Sequence, residues 1–160
     1  LKNRRKPDAL REDALLAELR ALYRDVDALR AGWSCASSTE CCRFAVTGRE
    51  PYVTSIEVLA LENAVARRGG PLSAARRALP IAFETAAEER VCRFLDRSGR
   101  CSVYESRPFG CRTFYCRRRV EAGPPPSREA ERELLGRLKD LAVRHEPGGD
   151  AARPLSRVFR

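Results

Sequence analysis

This sequence predicts a mainly α-helical domain with a small irregular, hairpin-containing cysteine lobe organised around a metal site. Three observations carry that expectation. Apolar residues recur at steps of three and four in long Ala- and Leu-rich stretches, the period of an amphipathic helix. Seven cysteines fall into two dense groups, Cys35, Cys41 and Cys42, then Cys92, Cys101, Cys111 and Cys116. Between Val91 and Cys116 the helical period is lost and turn-forming residues take over. A chain of 160 residues is one domain's worth of core with tails.

Residues 1–6 (LKNRRK) read as a short basic arm. Pro7 and Asp8 suit the first turn of a helix, where a missing N–H costs nothing and an acid meets the dipole. The stripe Leu15, Leu19, Leu22, Val26, Leu29, with Trp33 beyond it, then marks the face that packs on other helices; it is too short for a coiled coil. The Cys35–Cys42 segment is a loop, because Ser37, Ser38 and Thr39 bond the local backbone in competition with a helix.

After a break at Gly48–Pro51, Thr54-Ser-Ile-Glu57 matches a capping box and starts a helix carrying Ile56, Leu59, Ala60 and Val65 to Gly69-Gly70. A further helical stretch near 73–90 is kinked or split by Pro80. Cys92-Arg-Phe-Leu-Asp and Cys101-Ser-Val-Tyr flank a Ser98-Gly99 turn and read as a hairpin, with Tyr104 packed on it. The cysteine lobe spans 91–117 and completes a domain of 7–122. Pro124–Pro126 form a stiff linker, covering 123–126 with Gly123. Residues 127–146 form a last helix capped by Ser127, with Leu134, Leu138 and Leu141 on one face, and 147–160 are a loose tail.

Thiolates are soft ligands that hold zinc or iron–sulfur clusters. Cys111 and Cys116 supply two from one local loop, Cys92 and Cys101 meet across the hairpin base, and Cys35, Cys41 and Cys42 arrive from the other end of the domain. Closing about fifty residues of chain costs a few kcal/mol, against ~10–16 kcal/mol of apparent metal binding in small zinc domains. All seven cysteines are therefore candidate ligands. An odd count and the Cys41-Cys42 neighbour pair argue against a framework of disulfides. Glu40 is a weaker carboxylate candidate, and His145, the single histidine, is better placed to meet a helix C-terminus.

The net charge is +9, and the segment Arg90–Arg119 alone carries nine arginines against Asp96 and Glu105. Such cations are expected to lower thiol pKa and favour a thiolate cluster. Arg107 and Arg112 bracket Cys111 and are the candidates for hydrogen bonds to the sulfur of a bound cofactor; Arg117–Arg119 read as surface. Methionine is absent, position 1 included, so the start implies trimming or unusual initiation and supports no targeting argument. No run reaches the ~20 apolar residues of a membrane span. The expected setting is the reducing cytoplasm, where clustered cysteines serve as ligands or redox groups more often than as disulfides.

The arrangement Cys35-x-x-Ser38-x-x-Cys41-Cys42, a Thr54…Glu57 helix start, Cys92-x-Phe-Leu, then Cys101-Ser-Val-Tyr-Glu-Ser-Arg-Pro-x-x-Cys111-Arg-x-Phe, resembles the bacterial CxxCxxCC cysteine-cluster family (YkgJ type) over residues 33–117. The resemblance implies zinc or iron chelation, leaning to an iron–sulfur centre, with Cys35, Cys41, Cys42, Cys92, Cys101 and Cys111 as ligands and Cys116 where many members have another cysteine. Ser38 departs from the pattern, since a hydroxyl is a poor ligand for soft metals. A related domain in flagellin lysine methylases brings protein modification into view, yet no glycine-rich cofactor loop follows a strand here.

Three functional readings follow. The first is a metal-binding cysteine-cluster protein with a redox, metal-handling or enzyme-assisting role, with a metal ion or cluster, and a protein, as partners. The second is a metalloenzyme modifying a protein or other macromolecule; no catalytic residue is assigned, and Arg107, Arg112, Tyr104 and Glu57 are its polar groups. The third is a zinc-stapled nucleic-acid module, disfavoured by sparse aromatics and the lack of known finger spacing.

Overall fold

The computed structural model describes residues 6–29, 39–69, 91–96, 98–114 and 127–159. The residue 1–5 part of the basic arm, Trp33, Cys35, Ser38, the 73–90 helix, Cys116, Arg117–Arg119 and the 123–126 linker lie outside the described residues.

The alternating apolar stripe becomes helix α1 (Lys6–Ala28), which buries Leu15, Leu19, Leu22 and Val26, with Leu16 and Tyr23 widening the face. Helix α3 (Ser55–Arg67) starts at the capping box of Thr54 and Glu57. Helix α5 (Arg128–His145) starts where the Ser127 hydroxyl accepts the N–H groups of Glu129 (3.2 Å) and Ala130 (3.5 Å). These three helices pack together around Leu19, Leu22, Val26, Ile56, Leu59, Leu138 and Leu141. Exposed ion pairs Arg144–Glu18 and Arg137–Asp25 decorate the α1–α5 seam and add little. The last helix, set apart from residues 7–122 in the sequence reading, is thus one wall of the same bundle.

Around the bundle's edge lie short elements. A 3₁₀ turn (Glu40–Cys42) leads into the one-turn helix α2 (Phe44–Thr47) and strand β1 (Tyr52–Val53). A second 3₁₀ turn (Tyr104–Ser106) precedes the one-turn helix α4 (Phe109–Arg112). The expected hairpin is present as a Leu95–Cys101 antiparallel bridge. The Asp96 carboxylate closes its turn by accepting Ser98 N–H and Arg100 N–H, each at 2.9 Å, and Gly99 supplies the positive φ of 74°.

A second apolar core, Phe44, Val53, Leu61, Ala64, Cys92, Phe94, Val103 and Leu155, underlies this lobe. Helix α3 separates the two cores. Its Ile56, Leu59 and Ala60 face the bundle, while Leu61 and Ala64 face the lobe. A helix apolar on two sides must be covered on both.

The loose tail expected over 147–160 is corrected by the structure. Strand β2 (Arg153–Pro154) pairs antiparallel with β1, in the register Tyr52–Pro154 and Val53–Arg153. The one-turn helix α6 (Leu155–Val158) follows, burying Leu155 in the lobe core. Phe159 meets Phe94 edge-on at 5.1 Å between centroids. Leu155, Val158 and Phe159 are an i, i+3, i+4 set, an apolar signal too short to stand out beside the long helices. Where this segment crosses back, Ser55 N–H donates to the Gly149 carbonyl at 3.0 Å. A Cβ at Gly149 would lie 2.2 Å from Ser55 Oγ and 2.3 Å from the Ala142 carbonyl oxygen, so the close approach requires glycine.

Candidate metal centre

Cys41 and Cys42 lie in the 3₁₀ turn, preceded by Thr39 in a left-handed conformation (φ 53°). From there the chain meets the second cysteine group directly. Cys92 N–H donates to the Cys42 carbonyl at 2.7 Å, and Arg43 pairs with Val91 in an antiparallel bridge. Cys42 and Cys92 are therefore opposite one another across two paired segments. The hairpin register puts Cys101 against Leu95, not against Cys92 as the sequence reading had it, because Ser102 N–H takes the Phe94 carbonyl at 2.7 Å. Cys111 sits in α4, whose first turn is set by Pro108.

All five described cysteines are free thiols, with Cys92 buried and the others half-buried. The sulfurs of Cys41 and Cys42 are 4.0 Å apart. The hydrogen bond to Cys42, burial and the charge of Cys42 push the Cys41 thiol well up. Its bond with Cys41 pulls Cys42 down, but a bond to Cys92 and burial win and push it up to about 12. Burial raises Cys111 as well, reinforced by the charges of Cys41, Cys42, Cys101 and Glu57. Burial is likewise the leading cause at Cys101, followed by a lowering Val103 N–H and a raising Cys41. Each of these thiols thus lies within electrostatic reach of others from distant parts of the chain.

The arginines do not bring these thiols below their ordinary range, as their number led one to expect. Arg107 does lower Cys41 and Cys101, and Arg68 lowers Cys101, but burial and mutual repulsion outweigh them. At neutral pH Cys41, Cys42, Cys101 and Cys111 are protonated. Among the described residues no three His, Cys, Asp or Glu side chains stand together at ligating spacing.

The surroundings of Cys111 are built from two buried polar side chains. Glu57 is fully buried. Its Oε2 accepts Thr54 N–H and Thr54 Oγ1–H, both at 2.9 Å; its Oε1 accepts Phe109 N–H at 2.7 Å and Tyr23 O–H at 3.2 Å. Burial raises the Glu57 pKa against the pull of these donors, and burial with the Glu57 charge holds the Tyr23 phenol protonated. Arg112 lies 4.1 Å over the Tyr23 ring. Its Nε donates to the Arg107 carbonyl at 2.9 Å, Nη2 to the Glu105 carbonyl at 2.6 Å, and Nη1 to Asp27. None of these bonds goes to sulfur; Arg112 clamps the loop between Cys101 and Cys111.

Arg107 stacks 3.9 Å over Tyr104 and pairs with Asp27 at 3.4 Å, within reach of the thiols. Tyr104 itself is exposed, not packed on the hairpin as the sequence reading placed it. Glu40 opens the turn that carries Cys41. His145 closes α5 as expected. The Ser55 hydroxyl donates to the Ala142 carbonyl, so the His145 Nδ1–H donates to Ser55 Oγ at 2.9 Å.

Sequence reasoning missed Tyr23, Asp27 and Ser102. Tyr23 carries a signal, an aromatic hydroxyl beside the apolar stripe; an exposed-looking Asp27 carries none. The Ser102 hydroxyl, next to Cys101, is buried without a hydrogen-bond partner among the described residues. A buried donor of that kind suits a sulfur acceptor. A donor set of free thiols fits zinc or iron and not a hard, oxygen-seeking ion.

Among protein families, the profile of CxxCxxCC, described as "Putative zinc- or iron-chelating domain", matches residues 34–128. No curated protein and no solved structure matches the chain. Among the described residues no helix is long and apolar enough to cross a membrane.

Proposed function

The chain belongs to the CxxCxxCC family, and from that premise we propose that it binds iron or zinc through its thiols in a redox, metal-handling or enzyme-assisting role, with an iron–sulfur centre favoured. The single observation that supports this reading is that the two cysteine groups meet in one lobe, with Cys41 and Cys42 in sulfur contact at 4.0 Å and Cys92 paired opposite Cys42, all as free thiols. Cys35 and Cys116 complete the proposed ligand set. Arg107 offsets the negative charge that thiolates bring, and Ser102 donates to a sulfur of the centre. Iron in such surroundings supplies one-electron chemistry, zinc a structural cross-link or a Lewis acid.

Because thiol–thiol hydrogen bonds and burial together hold Cys41, Cys42, Cys101 and Cys111 above the ordinary thiol range, loading displaces protons, and uptake strengthens as pH rises. The test is anaerobic purification followed by elemental analysis and a visible spectrum. A brown protein with iron and acid-labile sulfide supports the favoured form. A colourless protein with stoichiometric zinc removes iron and keeps the metal. Absence of both metals, with none taken up on reconstitution, overturns the proposal.

A further inference from the structure

Glu57 is explained only in part by its place in a helix cap. A capping box works equally with Gln and sits at a helix surface. Here the residue is fully buried, and the cap uses one carboxylate oxygen, Oε2. The other, Oε1, reaches out of its own helix to the Phe109 N–H at 2.7 Å and the Tyr23 hydroxyl at 3.2 Å. Phe109 is the first residue of α4 and stands two positions before Cys111. Its N–H has no partner within so short a helix, and Pro108 before it has no N–H to offer. One carboxylate therefore joins helix α1, helix α3 and the turn that presents a thiol. Burying a carboxylate is costly, and a cap alone does not call for it.

We propose that Glu57 is the positioning residue of the thiol centre: by holding the Phe109 amide it fixes where Cys111 stands, and through Tyr23 it couples that turn to helix α1. The role of Cys111 as a ligand rests on the metal reading above; the positioning of its turn does not.

The experiment uses the full chain as wild type, Glu57→Ala, Glu57→Gln and, as a destabilised control, Leu138→Ala. In metal-free protein, amide hydrogen exchange over 109–112 and the alkylation rate of Cys111 relative to Cys42 are measured. Glu57→Ala is expected to raise both by about tenfold while α5 keeps its protection. Glu57→Gln, whose one carbonyl oxygen serves either Phe109 or the Thr54 cap but not both, is expected to restore part of the difference. Leu138→Ala, a cavity in the bundle core, should raise exchange in α5 at least as much as over 109–112. Unchanged exchange and labelling in Glu57→Ala overturn the proposal, as does a change that merely parallels Leu138→Ala. Should Glu57→Ala fail to fold, Tyr23→Phe decides instead: it removes the phenol that ties Glu57 to α1, and exchange over 109–112 that rises no more than that of α5 overturns the proposal.

Cobalt(II) serves as the probe of the loaded form. Thiolate-to-cobalt absorption bands that shift in Glu57→Ala and return in Glu57→Gln extend the positioning to the bound metal. Bands that do not shift overturn it for the loaded state. A wild type with no bands counts against the metal reading and leaves the exchange and labelling result to judge Glu57.

Discussion

The helical bundle and the cysteine lobe share helix α3 but are held together in different ways. Three helices of 13 to 23 residues bury leucines in a continuous seam, so burial alone accounts for the bundle. The lobe has two-residue strands, one-turn helices and half-buried thiols, with an apolar core assembled from three separated stretches of chain. Such short elements have no stability of their own. The difference teaches that the lobe depends on cross-links, either polar ties such as Glu57 and Arg112 or a bound metal, in a way that the bundle does not.

The sharpest way to break this comparison is to remove ligands. Cys101→Ser or Cys111→Ser is expected to lose the metal, and with it a large share of the ~10–16 kcal/mol that such binding supplies in small zinc domains. Elemental analysis should fall toward zero while far-ultraviolet circular dichroism keeps the bundle's helices; full metal content in both variants refutes the ligand assignment. In the bundle, Leu138→Ala should cost about 3 kcal/mol in urea unfolding through the cavity it leaves, with metal content unchanged. In the lobe, Leu155→Ala should cost about 2 kcal/mol and speed hydrogen exchange over 92–103 more than in α1. Equal acceleration in both regions contradicts two separate cores.

The thiols offer a pH test of the lobe, joined above pH 10.0 by the raised Tyr23 phenol of the bundle, which acts in the same direction. Their pKa values are raised on folding, so above the ordinary thiol value of 9.0 the unfolded chain gives up its protons first. Stability of the metal-free protein should stay level below that pH and decline as pH rises from it through about 12, the value for Cys42. Urea midpoints across that range check the sign; a midpoint that climbs is the opposite outcome. The smallest effect is Ser127→Ala, about 1 kcal/mol from loss of the α5 cap, without any change in thiol reactivity.

The bundle was legible in the sequence because helices repeat their signal. Leu15, Leu19, Leu22 and Val26 are read together, and Thr54 with Glu57 marks a start that the structure bears out. The family was legible from the cysteine spacing, and the hairpin from Ser98-Gly99. What escaped was long-range: Cys42 facing Cys92, Arg112 turning to carbonyl oxygens, and Leu155 closing the lobe. Pairing partners that lie far along the chain leave no local pattern. The sign of the thiol shifts escaped for a related reason, since arginines can be counted in a sequence and burial cannot.

The return of residues 149–159 onto β1 and Phe94 has a consequence for how the protein is made. A ribosome delivers Phe44, Phe94 and Val103 long before the residues that cover them. Until Leu155 and Phe159 emerge, the nascent lobe stands open, with apolar side chains and sulfhydryls uncovered. On the metal-binding reading proposed above, the thiols are open to metal in that interval and are enclosed once Leu155 and Phe159 dock on the lobe core.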